Sequence, residues 1–172
     1  FCAEHLNLKE NDVHFFYGSQ DNEFWPLFIE SMELDFAWPG DYEQLKDWLV
    51  ENRWCVSDIV LKTIRKQPES ASDADLRSVV WNYEKINNLF QENPIRHVFF
   101  TSKWVAAKFN QHIKPKLLSL SDEVQFHTLI SPSPSGLRRA QWATSVLPRQ
   151  SGEPLSTFRQ RFYTHMLHKA RG

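Results

Sequence analysis

Cysteine is scarce in this chain, with only Cys2 and Cys55 among 172 residues. Two thiols cannot build a disulfide framework or supply the four cysteine ligands of an iron–sulfur cluster, so a reducing setting is expected. Long apolar runs are also missing. None approaches the roughly 20 residues of a membrane-spanning helix, and no charged-then-apolar secretory leader is visible. There is no G-x-S-x-G elbow and no G-x-x-x-x-G-K-[ST] loop, which removes the serine-hydrolase and phosphate-loop readings. His165 and His168 stand three apart on an expected helix, but no carboxylate or cysteine joins them at ligand spacing. They are read as solvated residues, and neither a metal nor a cofactor is expected. The chain begins at Phe1 rather than Met, as a piece of a longer protein would.

What is present describes a globular domain. Hydrophobic residues make up 41% of the sequence, and the length suits one domain, residues 1–172, with a sizeable core. Aromatic residues reach 14%, with seven tryptophans. The net charge of −1 hides a strong asymmetry. Residues 1–60 carry 13 acids against 3 bases, and residues 61–172 carry 8 acids against 17 bases. From Leu137 onward there are seven Arg or Lys and one acid, Glu153. Such a distribution is either a dipolar surface or a basic face that tracks phosphates.

Periodicity divides the chain into alternating elements. Leu27, Phe28, Met32 and Phe36 have helical spacing behind Pro26. Asp41 is a candidate N-cap for an amphipathic helix over "YEQLKDWLVEN". The β-branched "RWCVSDIV" (53–60) reads as a buried strand. Residues 68–93 read as a loop, a cap near Ser72 or Asp73, and a helix. "IRHVFFTS" (95–102) reads as a strand, "KWVAAKFNQHI" (103–113) as a helix, "EVQFHTLISPS" (123–133) as a strand, and 154–171 as a basic helix. This alternation implies an α/β layered fold with parallel strands. In such sheets ligands sit beyond the carboxyl ends of the strands, here the loops after Val60, Phe100 and Ile130.

Three short signatures fall in order along the chain: "FYGSQDNEFW" (16–25), "CVSDIV" (55–60) and "SPSPSGLRR" (131–139). Together they resemble the uracil-DNA glycosylase superfamily, most closely its mismatch-specific uracil and hypoxanthine-type branches. Asn22-Glu23-Phe24-Trp25 matches the N-x-F-W element of that family. Ser133 to Arg139 matches its late N-P-S-G-L-S-R loop at Pro134, Ser135, Gly136, Leu137 and Arg139. "HVFFTSKWVAAKF" resembles its strand–G-K–helix segment, with Ser102 where the family has glycine.

The resemblance implies a three-layer α/β/α sandwich around a small, mostly parallel central sheet. It also implies a monofunctional DNA glycosylase that excises a deaminated or modified base by hydrolysis. An enzyme acting on a duplex base must first rotate it out of the stack, at a cost of a few kcal/mol. Leu137 takes the wedge position, where an apolar side chain fills the space left behind. Ser131, Ser135 and Gly136 let backbone and hydroxyls approach the DNA, and Arg138 and Arg139 hold phosphates or the widowed base, with the terminal basic helix adding charge. Tyr17 stands where relatives place a stacking aromatic, although packing with Phe15 and Phe16 would also explain it. Asn22 is read first as a loop-ordering residue and second as a base contact. Asp58 and Ser133 face the base edge, and an ionised Asp58 would also stabilise a cationic sugar. Helix capping is the plainer role for Asp58. Serine is a weaker donor than the Asn or His that relatives carry at the Ser133 position.

One family element is not found. Relatives open with a strand and a G-x-N-P-G-like loop that positions the attacking water. "FCAEHLNLKEND" does not read as that loop, although His5 and Asn7 lie near the right distance. The expectation is that residues upstream of Phe1 complete the sheet, because losing a central strand would orphan the backbone groups of its neighbours. The partner expected is damaged or modified duplex DNA, bound by a cytoplasmic monomer (nucleoid-associated if bacterial). The rival reading is a non-catalytic DNA-binding protein on the same scaffold.

Overall fold

The computed structural model describes residues 13–19, 22–66 and 76–170, and His5, Asn7, Ser72 and Asp73 lie outside them. The elements, in chain order, are α1 (Phe24–Ser31), α2 (Tyr42–Glu51), β1 (Val60–Arg65), β2 (Leu76–Trp81), α3 (Tyr83–Glu92), β3 (His97–Phe100), α4 (Lys103–His112), β4 (Gln125–Thr128), α5 (Pro134–Arg138) and α6 (Leu155–Leu167). The fold is mixed α/β. Among the described residues no helix is long and apolar enough to cross a membrane.

Helix α1 is apolar almost all round, and only Pro26 and Glu30 reach solvent. It ends earlier than the spacing of Met32 and Phe36 predicted. Glu33 takes a positive φ of 56°, and the amides of Glu33 and Leu34 turn back to the carbonyls of Glu30 and Ile29. Helix α2 stops in the same way at Arg53, φ 59°, which sends Trp54 back towards the core. Asp41 does occupy the N-cap position of α2, but its carboxylate accepts from the Ala37 N–H at 2.7 Å and makes no cap bond.

The strands form two separate pairs. β3 and β4 run parallel, with His97 opposite Gln125 and Phe100 opposite Thr128, and α4 makes the crossover between them. On one face, Phe100 and Phe126 pack with Phe109, Ile113 and Ile86. Phe99 faces the other way, towards Trp54 at 5.7 Å and the larger core built on α1 and α6.

The second pair corrects the sequence reading. The expected strand 53–60 is irregular chain up to Ile59, and pairing begins only at Val60. Leu76–Trp81, assigned above to a loop and helix, is instead strand β2, antiparallel to β1. Its Val79, Val80 and Trp81 favour a pleated strand. Ser78, φ 48°, coincides with the register slip opposite Lys62–Ile64.

On the parallel pair, the buried His127 stacks on Phe99 at 4.8 Å, and its Nε2 lies 3.1 Å from Nδ1 of His97. Burial first, then the neighbouring His97 and Lys169, pushes the His127 imidazole down to about 4. Between the ordinary value of 6.5 and about 4, the unfolded chain binds a proton that the folded chain refuses. Stability therefore falls as pH drops through that window. The urea midpoint of the wild type should decline accordingly, and His127→Phe should flatten the decline. An unchanged pH slope in that variant would remove His127 as its source.

Candidate functional site

Two loops meet at the carboxyl ends of the parallel strands. The first, residues 13–19, folds on itself: the Val13 amide donates to the Gly18 carbonyl at 3.0 Å, and the Gly18 amide to that of Phe15 at 3.0 Å. A Cβ on Gly18 would stand 1.9 Å from the Val13 oxygen, so only glycine fits. Tyr17, at φ 56°, is thereby turned towards the end of β3, where its hydroxyl meets Thr101 Oγ1 at 2.8 Å. Its ring lies against Phe24, with centroids 4.8 Å apart. Tyr17 is half-buried at the margin of the larger core, so core packing and an accessible edge are both part of its setting.

The Asn22-Glu23-Phe24-Trp25 element now has a physical account. Asn22 Oδ1 accepts from the Phe24 amide at 2.9 Å and so shapes the turn into α1. Trp25 is fully buried, and its indole N–H donates to the Phe16 carbonyl at 2.6 Å, pinning the first loop. Glu23 reaches sideways to Arg159 of α6, Oε2 to Nη2 at 2.5 Å.

The second loop begins where β4 ends. Tyr163 donates to the Ile130 carbonyl at 2.7 Å, and Arg159 Nη1 to the Pro132 carbonyl at 3.2 Å. Ser133 is the N-cap of α5, its Oγ accepting from the Gly136 amide at 3.1 Å, and it also meets Ser131 Oγ at 3.1 Å. A Cβ on Gly136 would lie 2.2 Å from that of Ser131, so the glycine lets the helix close over the loop. The side chain of Ser135 lies outside the described residues. Leu137 is half-buried, while Arg138 and Arg139 are exposed. Leu137 and Arg138 border a cleft of about 280 Å³ completed by Ala140, Gln141, Arg149 and Phe158.

Charge around this loop is largely positive. Glu153, the one acid after Leu137, is buried and held by Arg161, Nε to Oε1 at 2.8 Å. That guanidinium, then the Gln150 amide, holds the carboxyl down at about 2, although burial pushes the other way. Arg149 donates to the Glu153 carbonyl at 2.8 Å. Lys103 lies over the Trp142 ring, 4.7 Å from its centroid.

Several sequence expectations change here. Asp58 neither ends a strand nor caps a helix. It precedes β1, and its carbonyl accepts from Asn82 Nδ2 at 2.9 Å, tying it to the antiparallel ribbon. The terminal helix is not a solvated phosphate-binding rod. α6 buries Phe158, Arg159, Phe162, Tyr163, Met166 and Leu167, and Arg161 is paired with Glu153. His165 is exposed, whereas His168 is half-buried with Nε2 3.0 Å from the Ser31 carbonyl oxygen. Glu23, Arg159 and Tyr163 were missed. The apolar spacing of Phe158, Phe162 and Met166 would have marked this face as core and Arg159 as a buried cation.

Among the described residues no three His, Cys, Asp or Glu side chains gather where a metal could be held. No protein-family model matches the chain, and no curated protein matches it.

Tyr163 is fully buried, and burial pushes its phenol well above the ordinary value. Tyr163→Phe leaves the Ile130 carbonyl without this donor and should destabilise the chain by about 1–2 kcal/mol, read as a lower thermal midpoint. An unshifted midpoint would mean that the second loop is held by other contacts.

Proposed function

We propose that this chain is a DNA glycosylase domain that flips a deaminated or modified base out of a duplex and hydrolyses its N-glycosidic bond. The observation that carries this reading is the meeting of two loops beyond the parallel strands. One bears Tyr17, and the other bears the Ser131–Ser133 hydroxyls and Leu137 beside exposed Arg138 and Arg139. Within this reading the parallel pair belongs to the centre of a three-layer α/β/α sandwich.

The roles follow from the residue types. The half-buried Tyr17 ring and the serine hydroxyls offer an aromatic surface and hydrogen-bonding groups to an extruded base. Leu137 enters the vacated position in the stack, while Arg138 and Arg139 neutralise phosphates on either side. Asp58 is assigned to the base or sugar by the resemblance alone, and Asn22 shapes the turn between the Tyr17 loop and α1. Hydrolysis transfers the water oxygen to the sugar C1′ and releases the protonated base, leaving an abasic site.

Full-length protein should convert duplexes carrying uracil, hypoxanthine, xanthine or a bulky modified cytosine to alkali-labile strands for at least one of these bases. Leu137→Ala should slow single-turnover excision about tenfold, with a smaller loss of duplex binding, since flipping costs a few kcal/mol. Salt should weaken binding steeply in both proteins. Absence of cleavage on every substrate would sink the catalytic reading. The non-catalytic DNA-binding reading draws on Ser133 Oγ serving as a cap, and it predicts lesion-independent binding with intact bases.

A further inference from the structure

Arg159 sits on the buried face of α6, and its side chain is only 3% exposed. Its guanidinium nevertheless serves two segments far away in sequence. Nη2 donates to Glu23 Oε2 at 2.5 Å, and Nη1 to the Pro132 carbonyl at 3.2 Å. Glu23 stands between the Asn22 turn and the first core helix. Pro132 stands between the two serines of the second loop. One rigid, planar group thus ties the N-cap of α1, which follows the first loop, to the second loop. Lysine, with a single flexible ammonium, cannot hold two acceptors at a fixed angle in this way.

The arrangement is poorly explained as a device for stability alone. Arg159 Nε is buried with no hydrogen-bond partner, an arrangement that opposes folding. Glu23 is 47% exposed, so its carboxylate gains little from pairing that water would not supply. A buried charge kept under those conditions is best accounted for by what it aligns. Tyr163, one turn further along α6, grips the Ile130 carbonyl, so the helix holds the second loop at alternate carbonyls. Tyr17 packs against the buried cluster to which Tyr163 belongs, so the first loop borders the same core.

We propose that Arg159 is a positioning residue that fixes the Tyr17 loop and the Ser131–Leu137 loop relative to each other. Stacking of the base and filling of the duplex then occur in a single docking geometry. This deepens the glycosylase reading and rests on it for its consequence, but the mechanical coupling between the loops can be tested separately.

The first test needs no activity. Glu23→Gln removes the charge from a half-exposed side chain and should leave the fold intact. Hydrogen exchange in the protein should then accelerate at the amides of Ser133, Gly136 and Leu137, more than a hundred positions away, while β3 and β4 stay protected. Unchanged exchange in the second loop would overturn the proposal.

The second test uses excision. Arg159→Met should lower the single-turnover rate about tenfold or more, since small misplacements of reacting groups are that costly, with duplex affinity within about threefold. Arg159→Lys should recover part of that rate, and the Glu23→Gln/Arg159→Lys double variant should be no worse than the poorer single. Parallel losses in duplex affinity and thermal midpoint, without a selective loss of rate, would reduce Arg159 to a structural residue. Loop coupling seen by exchange in a protein that excises no base would remove the glycosylase reading and leave the clamp standing.

Discussion

Burial of α6 against α1 is the contact on which the rest of the site hangs. Phe158, Phe162, Tyr163 and Met166 meet Trp25, Phe28 and Ile29 in one cluster with almost no solvent. At roughly 1.5–3 kcal/mol for each large side chain removed from water, this is the strongest local source of stability that the sequence offers. Because the apolar stripe fixes α6, the polar residues interleaved with it arrive at fixed heights. Arg159 and Tyr163 reach the second loop, and Arg159 also reaches Glu23 at the start of α1. Thr164 and His168 meet Ser31 at the far end. The short loops therefore combine local turn chemistry with anchoring by the core.

Much of this was legible in the sequence, for identifiable reasons. The helices over 42–51, 103–112 and 155–167 carry clear helical spacing, β3 is a short run with three apolar residues, and β4 falls within the span 123–133 read as a strand. Asn22 and Ser133 are turn and cap residues whose chemistry is local, so their behaviour followed from residue type. The ribbon of β1 and β2 was missed because its pairing is non-local. Neither Val60–Arg65 nor Leu76–Trp81 alternates in the way a half-buried strand should, and the bulge at Ser78 breaks the period further. Arg159 was misread for a different reason. A basic residue on a basic helix looks solvated until the helix's apolar face is counted first.

The charge asymmetry also takes a different form in three dimensions. Counting bases from Leu137 onward suggested a uniformly cationic segment. In the fold, Arg159 faces inward to Glu23, and Arg161 with Arg149 encloses Glu153. The cations left at the surface beside Leu137 are Arg138 and Arg139, with Arg149 on the edge of the adjoining cleft. These exposed cations flank one loop, which suits a backbone contact at a single point on a duplex better than a long basic track along α6.

The antiparallel ribbon has a consequence of another kind. Leu61, Ile64 and Val80 remain 54%, 63% and 48% exposed, and the described ribbon carries no acid, only cations such as Lys62 and Arg77. Apolar side chains on a strand pair invite like molecules to stack, and same-sign charges beside them keep such molecules apart. That repulsion shortens its reach as ions are added, to about 3 Å at 1 M. Contacts between copies through the ribbon are therefore opposed in dilute buffer and less opposed in concentrated salt.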